Sequence, residues 1–383
     1  MILGVVRESF PGELRVALTP AAIAQLAPTK LEVWIEPGAG VPAGFSDAQY
    51  LEKGAKVADR ATVLGTADLL LQVRSAGANN PAFRGDLALH KKGQIIIGSA
   101  EPLSEPEACR ELAAAGVTLF AMELMPRITR AQSMDVLSSM ATIAGYKAVL
   151  LAALRLSKIF PMLMTAAGTL HAAKVFVIGA GVAGLQAIAT ARRLGAVVEA
   201  YDVRPAVKEQ VQSLGAKFVE LGLETAGAED KGGYARAQDE AFYQRQREVM
   251  TRVIAASDVV IATAAIPGKK APILVTQQMV AAMRPGSVIV DLVAERGGNC
   301  ELTKPGEDVI TGGVTILGPL NLAASVPSDA SLMYAKNLVT FVRTLFDKEG
   351  RLHLDPDDAC VRETMVTKDG DLVLPKVRAL LRD

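Results

Sequence analysis

The chain has 383 residues, too many for one compact core, so two domains are expected. Half of its residues are hydrophobic, and 41 Lys and Arg balance 41 Asp and Glu, which excludes nucleic-acid binding by charge alone. Three scattered cysteines (Cys109, Cys300, Cys360) and three scattered histidines (His90, His171, His353) form no C-x-x-C or metal-ligand spacing, so a reducing compartment and no metal site are expected. The start, MILGVVRESFPGELRVALTP, lacks the basic opening and long apolar core of a signal peptide. The most membrane-like segment, Ala148 to Gly168, is interrupted by Arg155, Lys158 and Pro161; a spanning helix needs ~20 uninterrupted apolar residues.

In chain order, Ile2 to Val6 reads as a strand, Pro20 to Leu26 as a helix and Leu31 to Ile35 as a strand. Pro37 to Gly44, PGAGVPAG, has glycine spacing unlike a dinucleotide loop, and its prolines suit a rigid structural turn. Leu69 to Val73, Gln94 to Gly98 and Thr118 to Met122 are further strands with helices between them. Such alternation predicts a parallel sheet with helices on both faces. Met134 to Phe160 is a long helical pattern ended by Pro161, placed to bridge two domains.

The stretch Lys174 to Asp202 organises the second domain. An apolar run, Val175 to Ile178, reads as a buried strand and enters Gly179-Ala180-Gly181-Val182-Ala183-Gly184, a G-x-G-x-x-G. A helix from Leu185 to Leu194 comes next, closed by Gly195, and a second strand from Ala196 to Tyr201 ends in Asp202. Gly179 would make the tight turn, Gly181 would let backbone approach a pyrophosphate, and Gly184 would let helix pack on strand. The helix N-terminus supplies free N–H groups and a positive dipole end. Asp202 can accept from adenosine ribose hydroxyls and would repel a 2′-phosphate, which favours NAD(H) over NADP(H); Arg204 keeps the NADP option open.

Later strands are expected at Val259 to Thr263, Ser287 to Leu292 and, last, Val314 to Leu317. Gly222 to Gln246 is polar and charged and reads as a solvated insertion, either mobile or an inert surface loop. Ser328 to Phe346 reads as an amphipathic helix with Ser328 or Asp329 as N-cap, carrying the chain back to the first domain. Residues 1–135 with 325–383 would then form a discontinuous first domain, and residues 136–324 the dinucleotide-binding one.

Met122 to Ser139, MELMPRITRAQSMDVLSS, crowds Glu123, Arg127, Arg130, Gln132, Ser133, Asp135 and Ser138 between a strand and the long helix, where a cleft would form. Arg127 could anchor a phosphate or pair with Asp135, and Gln132 offers an amide to a carboxamide or ribose; equally, Ser133 and Asp135 could cap the helix and the arginines be solvated. Thr263 to Gly268 resembles the small-residue turn that faces a bound cofactor. In DLVAERGGNC, Asp291 to Cys300, Glu295 is either a functional acid or a solvated one.

GELRVALTP, MELMPRITRAQSMDVLSS, MTAAGT, GAGVAGLQAIATARRLGA, YDVR, GGYA, IPGKKAPIL, VDLVAERGGNC and MYAKNL together resemble the NAD(H)-binding component of proton-translocating NAD(P) transhydrogenase, its domain I or alpha subunit. The matches run from Gly12 to Leu338. The resemblance implies an α/β fold of two doubly wound, Rossmann-like domains with parallel sheets linked by long helices, and a homodimer. It implies NADH bound between the domains, passing hydride to NADP+ on a separate NADP(H)-binding component, with proton movement in a membrane-spanning component. The chain would be cytoplasmic and peripheral on the inner face of the membrane. Gln132, with Arg127, Asp135 and Ser138, would position the dihydronicotinamide. Nucleotide contacts would fall to Gly179, Gly181, Val182, Gly184, Asp202, Val203, Arg204, Gly233, Tyr234, Gln246, Ala264 and Ala265, with Tyr234 on a mobile loop that closes over the nucleotide.

The fold-related alternative is alanine dehydrogenase. Arg15 lies in the shared R-V-A pattern, but Arg74 stands where a catalytic lysine is expected, no histidine follows Gln94 to Gly98, and Glu295 replaces an aspartate. Oxidising an amino acid needs a proton acceptor near the reacting carbon, whereas exchange between two nicotinamides needs geometry.

Overall fold

The computed structural model describes residues 1–220, 240–265 and 270–381, the side chains of 240–243 and 245 excepted. The expectations for Gly233, Tyr234 and the Ile266-Pro267-Gly268 turn lie outside the described residues. The chain forms two compact units, Met1–Met140 with Ala323–Asp383, and Ala141–Leu322.

Among the described residues the first strands are β1 (Ile2–Val5), β2 (Glu32–Ile35), β3 (Lys56–Val57), β4 (Leu69–Arg74), β5 (Ile95–Ser99) and β6 (Thr118–Ala121). A hairpin follows, β7 (Leu163–Thr165) with β8 (Gly168–Leu170). Then come β9 (Lys174–Ile178), β10 (Val197–Tyr201), β11 (Lys217–Phe218), β12 (Val259–Ala262), β13 (Val288–Asp291), β14 (Asp308–Thr311) and β15 (Val314–Leu317), and finally β16 (Met365–Lys368) and β17 (Asp371–Leu372). The four longest helices are α1 (Val136–Arg155), α2 (Val182–Arg193), α3 (Glu240–Ala256) and α4 (Pro327–Thr344).

In the first unit the sheet order is β17-β16-β6-β5-β4-β1-β2-β3. Strands β1 to β6 pair in parallel, as connections through helices dictate, and β16 joins β6 antiparallel. Continuous apolar runs suit a sheet covered on both faces: Leu69, Leu70 and Leu71 are all fully buried. Helix α4 belongs to this unit and buries Tyr334, Leu338, Phe341 and Val342, with the Phe341 ring edge-on to Phe120 at 5.3 Å.

Two details differ from the sequence expectation. The N-cap of α4 is Val326, not Ser328 or Asp329, and Pro327 takes the first helical position, where its missing N–H is no loss. Helix α1 ends at Arg155 rather than Phe160, because Phe160 turns its ring into the apolar core of the second unit and its carbonyl accepts the Ala173 N–H at 2.9 Å.

In the second unit the order is β11-β10-β9-β12-β13-β15-β14, parallel except for the edge strand β14. The sheet places β9 beside both β10 and β12, so the loops leaving these strands lie together at one end. By length and hydropathy α1 is the one described helix apolar enough to cross a membrane. Within the second unit its Ala148, Val149 and Ala152 are fully buried in the core. At Gly145 an added Cβ would lie 2.1 Å from the Ala183 carbonyl oxygen, so the start of α2 rests directly on α1.

Candidate functional site

The site in the second unit begins with the turn after β9. Gly179 has φ +93°, which L side chains rarely adopt, and its N–H donates to the Tyr201 carbonyl at 2.8 Å. The Thr263 hydroxyl at the end of β12 donates to the Gly179 carbonyl at 2.9 Å, tying the turn to its neighbour strand. At Gly184 an added Cβ would lie 1.8 Å from the Gly179 oxygen, so any side chain there would break the turn. Gly181 is different: around its missing Cβ the nearest atom is Arg204 Nη2 at 3.9 Å. The space beside Gly181 is therefore open, and the backbone there can be approached. Gly181 is the N-cap of α2, so the first N–H groups of that helix have no intrahelical acceptor. Val182 opens the helix and is exposed.

Asp202 closes the site at the end of β10. Its buried carboxylate accepts the Ala180 N–H at 2.7 Å and the Arg204 N–H at 2.8 Å. The Arg204 guanidinium completes a bidentate pair, Nε on Oδ1 and Nη2 on Oδ2, both at 2.9 Å. Val203, between them, is half-buried and packs on the apolar cluster that holds Tyr201 and Phe176. Gln246, on α3, is fully buried and donates its amide N–H to the Tyr201 hydroxyl at 2.7 Å.

On the far side of β9 lies Asn299, which the sequence reading missed. This fully buried amide accepts the Ala264 N–H and donates to the carbonyls of Ala264 and Pro272, each at 2.9 Å. Asp291, at the end of β13, accepts from the Cys300 N–H and the Thr303 hydroxyl, and burial raises its carboxyl above the usual carboxylate range. Gly-Gly-Asn after an acidic loop was the available signal: Gly297 and Gly298 both have positive φ, and Asn299 needs that turn to face inward. Ala265 is exposed and Ala264 half-buried. Glu295 is exposed and accepts the Asn321 N–H at 3.0 Å.

In the first unit, Asp135 caps α1, accepting the Ser138 N–H at 2.9 Å and the Ser138 hydroxyl at 2.6 Å. Gln132 lies exposed on the 3-10 turn Thr129–Met134, with Arg127 exposed just before it. Asn337 of α4 holds that turn by donating to the Ser133 carbonyl at 2.8 Å, and Arg130 forms an ion pair with Asp358. Glu123 accepts the N–H groups of Ala100 and Glu101 on Oε1, and burial pushes its carboxyl up to about 7. Arg15 and Arg74 share the buried carboxylate of Glu13, at 2.6 and 3.1 Å.

A tight positive-φ turn, an open glycine at a helix N-cap and an acid at the next strand end make this a Rossmann-like, nucleotide-binding α/β protein. Residues 4–144 match the N-terminal domain and residues 148–375 the C-terminal domain of the alanine dehydrogenase/PNT family. The chain belongs to that family. It is 45% identical to the first part of NAD(P) transhydrogenase subunit alpha of Rhodospirillum rubrum, over 98% of each chain. The crystal structure of transhydrogenase from Sinorhizobium meliloti is similar at a TM-score of 0.84 and 45% identity, covering 98% of this chain and 99% of that one. Alanine dehydrogenase of Bacillus subtilis is 27% identical over 98% of this chain and 94% of its own. The likeness to the transhydrogenase subunit is thus well above that to the dehydrogenase.

Proposed function

We propose that this chain is the NAD(H)-binding subunit of a Si-Re-specific, proton-translocating NAD(P) transhydrogenase. The observation that carries the reading is the loop from Gly179 to Gly184, where two glycines are fixed by sterics and Gly181 alone is left open beside the helix N-terminus. That is room for a pyrophosphate, and Asp202 is the ribose acceptor. Val182, Val203, Arg204, Ala264 and Ala265, with Gly233 and Tyr234, complete the nucleotide contacts; Gln246, expected among them, is fully buried and acts through the Tyr201 hydroxyl that it holds. Bound NADH supplies the hydride. Arg127, Gln132, Asp135 and Ser138 orient the nicotinamide, and the rate gain comes from alignment, which can contribute ~7–11 kcal/mol. No proton acceptor is required of the protein, in keeping with a turn after β5, Ser99-Ala100-Glu101, that carries no imidazole.

The hydride acceptor is NADP+ on a separate NADP(H)-binding component, and a membrane-spanning component couples the exchange to proton translocation. Through these partners the chain sits peripherally on the cytoplasmic face of the membrane. A homodimer is supported by the β7–β8 hairpin, whose six strand residues are all exposed, Leu163, Met164 and Leu170 among them. A lone two-stranded hairpin is marginal in water and gains from a partner surface. The test is hydride transfer from NADH to an NADP+ analogue, with the purified chain mixed with a transhydrogenase NADP(H)-binding component. A parallel tube holds pyruvate, ammonia and NADH. Transfer in the first tube is expected; turnover in the second alone would make the chain an alanine dehydrogenase.

A further inference from the structure

Helix α4 carries a stripe of polar side chains through the apolar core of the first unit. Ser331, Tyr334 and Asn337 follow one another at the three-residue spacing that puts side chains on one helix face, and they are 0%, 1% and 6% exposed. Each grips the backbone of a different segment. The Ser331 hydroxyl accepts the Val16 N–H at 2.9 Å, and the Tyr334 hydroxyl donates to the Val73 carbonyl at 3.1 Å. Asn337 donates to the Ser133 carbonyl at 2.8 Å, one residue past Gln132. Its other amide atom has no such use: Oδ1 is buried and has no hydrogen-bond partner among the described residues. An unmet buried acceptor destabilises more than one neutral hydrogen bond stabilises, so stability does not explain the amide.

The other holds on the turn are loose. Ala131 and Met134 are its buried residues and lie in the apolar cluster with Tyr334 and Leu338, while Thr129, Arg130, Gln132 and Ser133 are exposed. Apolar contact has no direction, and a methionine adapts through three rotatable bonds. Within the turn, the Asp135 N–H reaches the Gln132 carbonyl only at 3.4 Å. Arg130 meets Asp358 from an exposed side chain, and such a pair holds little. The Asn337 bond is directional and comes from a helix buried at Tyr334, Leu338, Phe341 and Val342. It therefore sets the rotation of the peptide next to Gln132.

We infer that Asn337 is a positioning residue for hydride transfer, which fixes through the Ser133 carbonyl the turn that presents Gln132. The inference rests on the proposed role of Gln132 at the nicotinamide. Asn337 is itself buried and acts on the rate only through the aim of that neighbouring amide. The demand is steep, since a displacement of about 1 Å can slow a reaction ~100-fold. Nucleotide affinity does not share it, because the proposed phosphate and ribose contacts lie in the other unit.

The experiment is single-turnover hydride transfer from NADH to an NADP+ analogue, with the full chain mixed with a transhydrogenase NADP(H)-binding component, beside NADH titrations and thermal melts. It compares wild type, Asn337→Leu, Gln132→Asn and the double variant. Leucine is close to asparagine in shape and removes the donor together with the unmet acceptor, so the melting temperature is expected to hold. Asn337→Leu is expected to slow transfer by about tenfold to a hundredfold with NADH affinity unchanged. In the Gln132→Asn chain the same change is expected to slow transfer by about twofold at most, because the aim is already lost. Asn337→Ser, whose hydroxyl ends short of Ser133, repeats the test should leucine not be accommodated. No transfer by wild type overturns the transhydrogenase reading, and wild-type transfer by Gln132→Asn overturns the role of Gln132. With Gln132→Asn slow, the inference alone is overturned by wild-type transfer in Asn337→Leu or by equal slowing in both backgrounds. A parallel loss of NADH affinity, or of melting temperature in both Asn337 variants, overturns it too.

Discussion

Asn299 grips Ala264 by both of its backbone polar groups, accepting its N–H and donating to its carbonyl, each at 2.9 Å. A third bond, to the Pro272 carbonyl, anchors the start of the next segment to the same amide. One side chain thus fixes the exit of β12, beside the turn that Gly179 makes. Asn299→Ala would strand an N–H and two carbonyls, and stability should fall by about 2–5 kcal/mol in denaturant titration. Asn299→Asp, which keeps the acceptor and loses the donors, should fall between. A variant as stable as wild type would show that the loop does not depend on this amide.

The two outer glycines of the loop and the middle one should fail differently. In Gly184→Ala the Cβ meets the Gly179 oxygen at 1.8 Å, and folding should be compromised by about 3 kcal/mol or more. Gly181 has φ −75° and open space, so Gly181→Ala should fold with near-wild-type stability and lose affinity for NADH because its methyl occupies the pyrophosphate approach. Thermal melts paired with NADH titrations separate the two. Equal loss of stability in both would remove the distinction.

Gln132 is exposed on its 3-10 turn, so Gln132→Asn should leave the melting temperature in place. On the proposed positioning role, it should also spare NADH affinity and slow hydride transfer to the NADP+ analogue strongly, because one methylene less shortens the reach of the amide. Wild-type transfer by this variant would remove Gln132 from the positioning set.

Glu123 carries a pH dependence of stability. Burial raises its folded-state pKa from 4.5 to about 7, so the folded state holds its proton where the unfolded chain has released it. Its contribution is intact below about pH 4.5 and is lost as pH rises to 7 and above, on the order of 3 kcal/mol. Glu123→Gln should therefore be more stable than wild type at pH 8, with the advantage shrinking towards pH 5. Glu8, raised to about 8 by burial, contributes to both proteins, so the difference between them isolates Glu123. Denaturant midpoints at the two pH values that differ equally would contradict the assignment.

The hairpin can be tested without touching the nucleotide loop. Met164→Glu with Leu170→Glu places two charges on exposed positions, which costs the isolated chain little. If the proposed homodimer forms through the hairpin, sedimentation should show a dimeric wild type and a monomeric variant. An unchanged dimer would put the subunit contact elsewhere.

The central strands of both sheets were legible because β-branched and leucine runs such as Val175 to Ile178 and Leu69 to Val73 have a single structural use. The loop was legible because Gly179 and Gly184 each have their own steric reason. The elements that stayed hidden had no periodic signal. The hairpin strands are exposed on every residue and so show no alternation, and β16 and β17 are four and two residues long. The inward turn of Asn299 and the hold of Asp202 on Arg204 depend on side-chain direction, which spacing alone does not encode. The capping reading of Asp135 is the one the structure bears out: it caps α1 by accepting the Ser138 N–H.

The antiparallel addition of β16 to β6 bears on how the protein is made. Residues 141–322 are continuous, and every strand of their sheet is synthesised before α4. The other sheet reaches β6 early but lacks β16, whose Met365 and Thr367 pair with Phe120 and Leu119, until the last residues emerge. Through all that time a strand built from buried residues presents an open edge, the kind that seeks any other strand. The continuous middle unit can therefore complete its sheet first, while the sheet begun by the amino-terminal residues is closed only when β16 arrives.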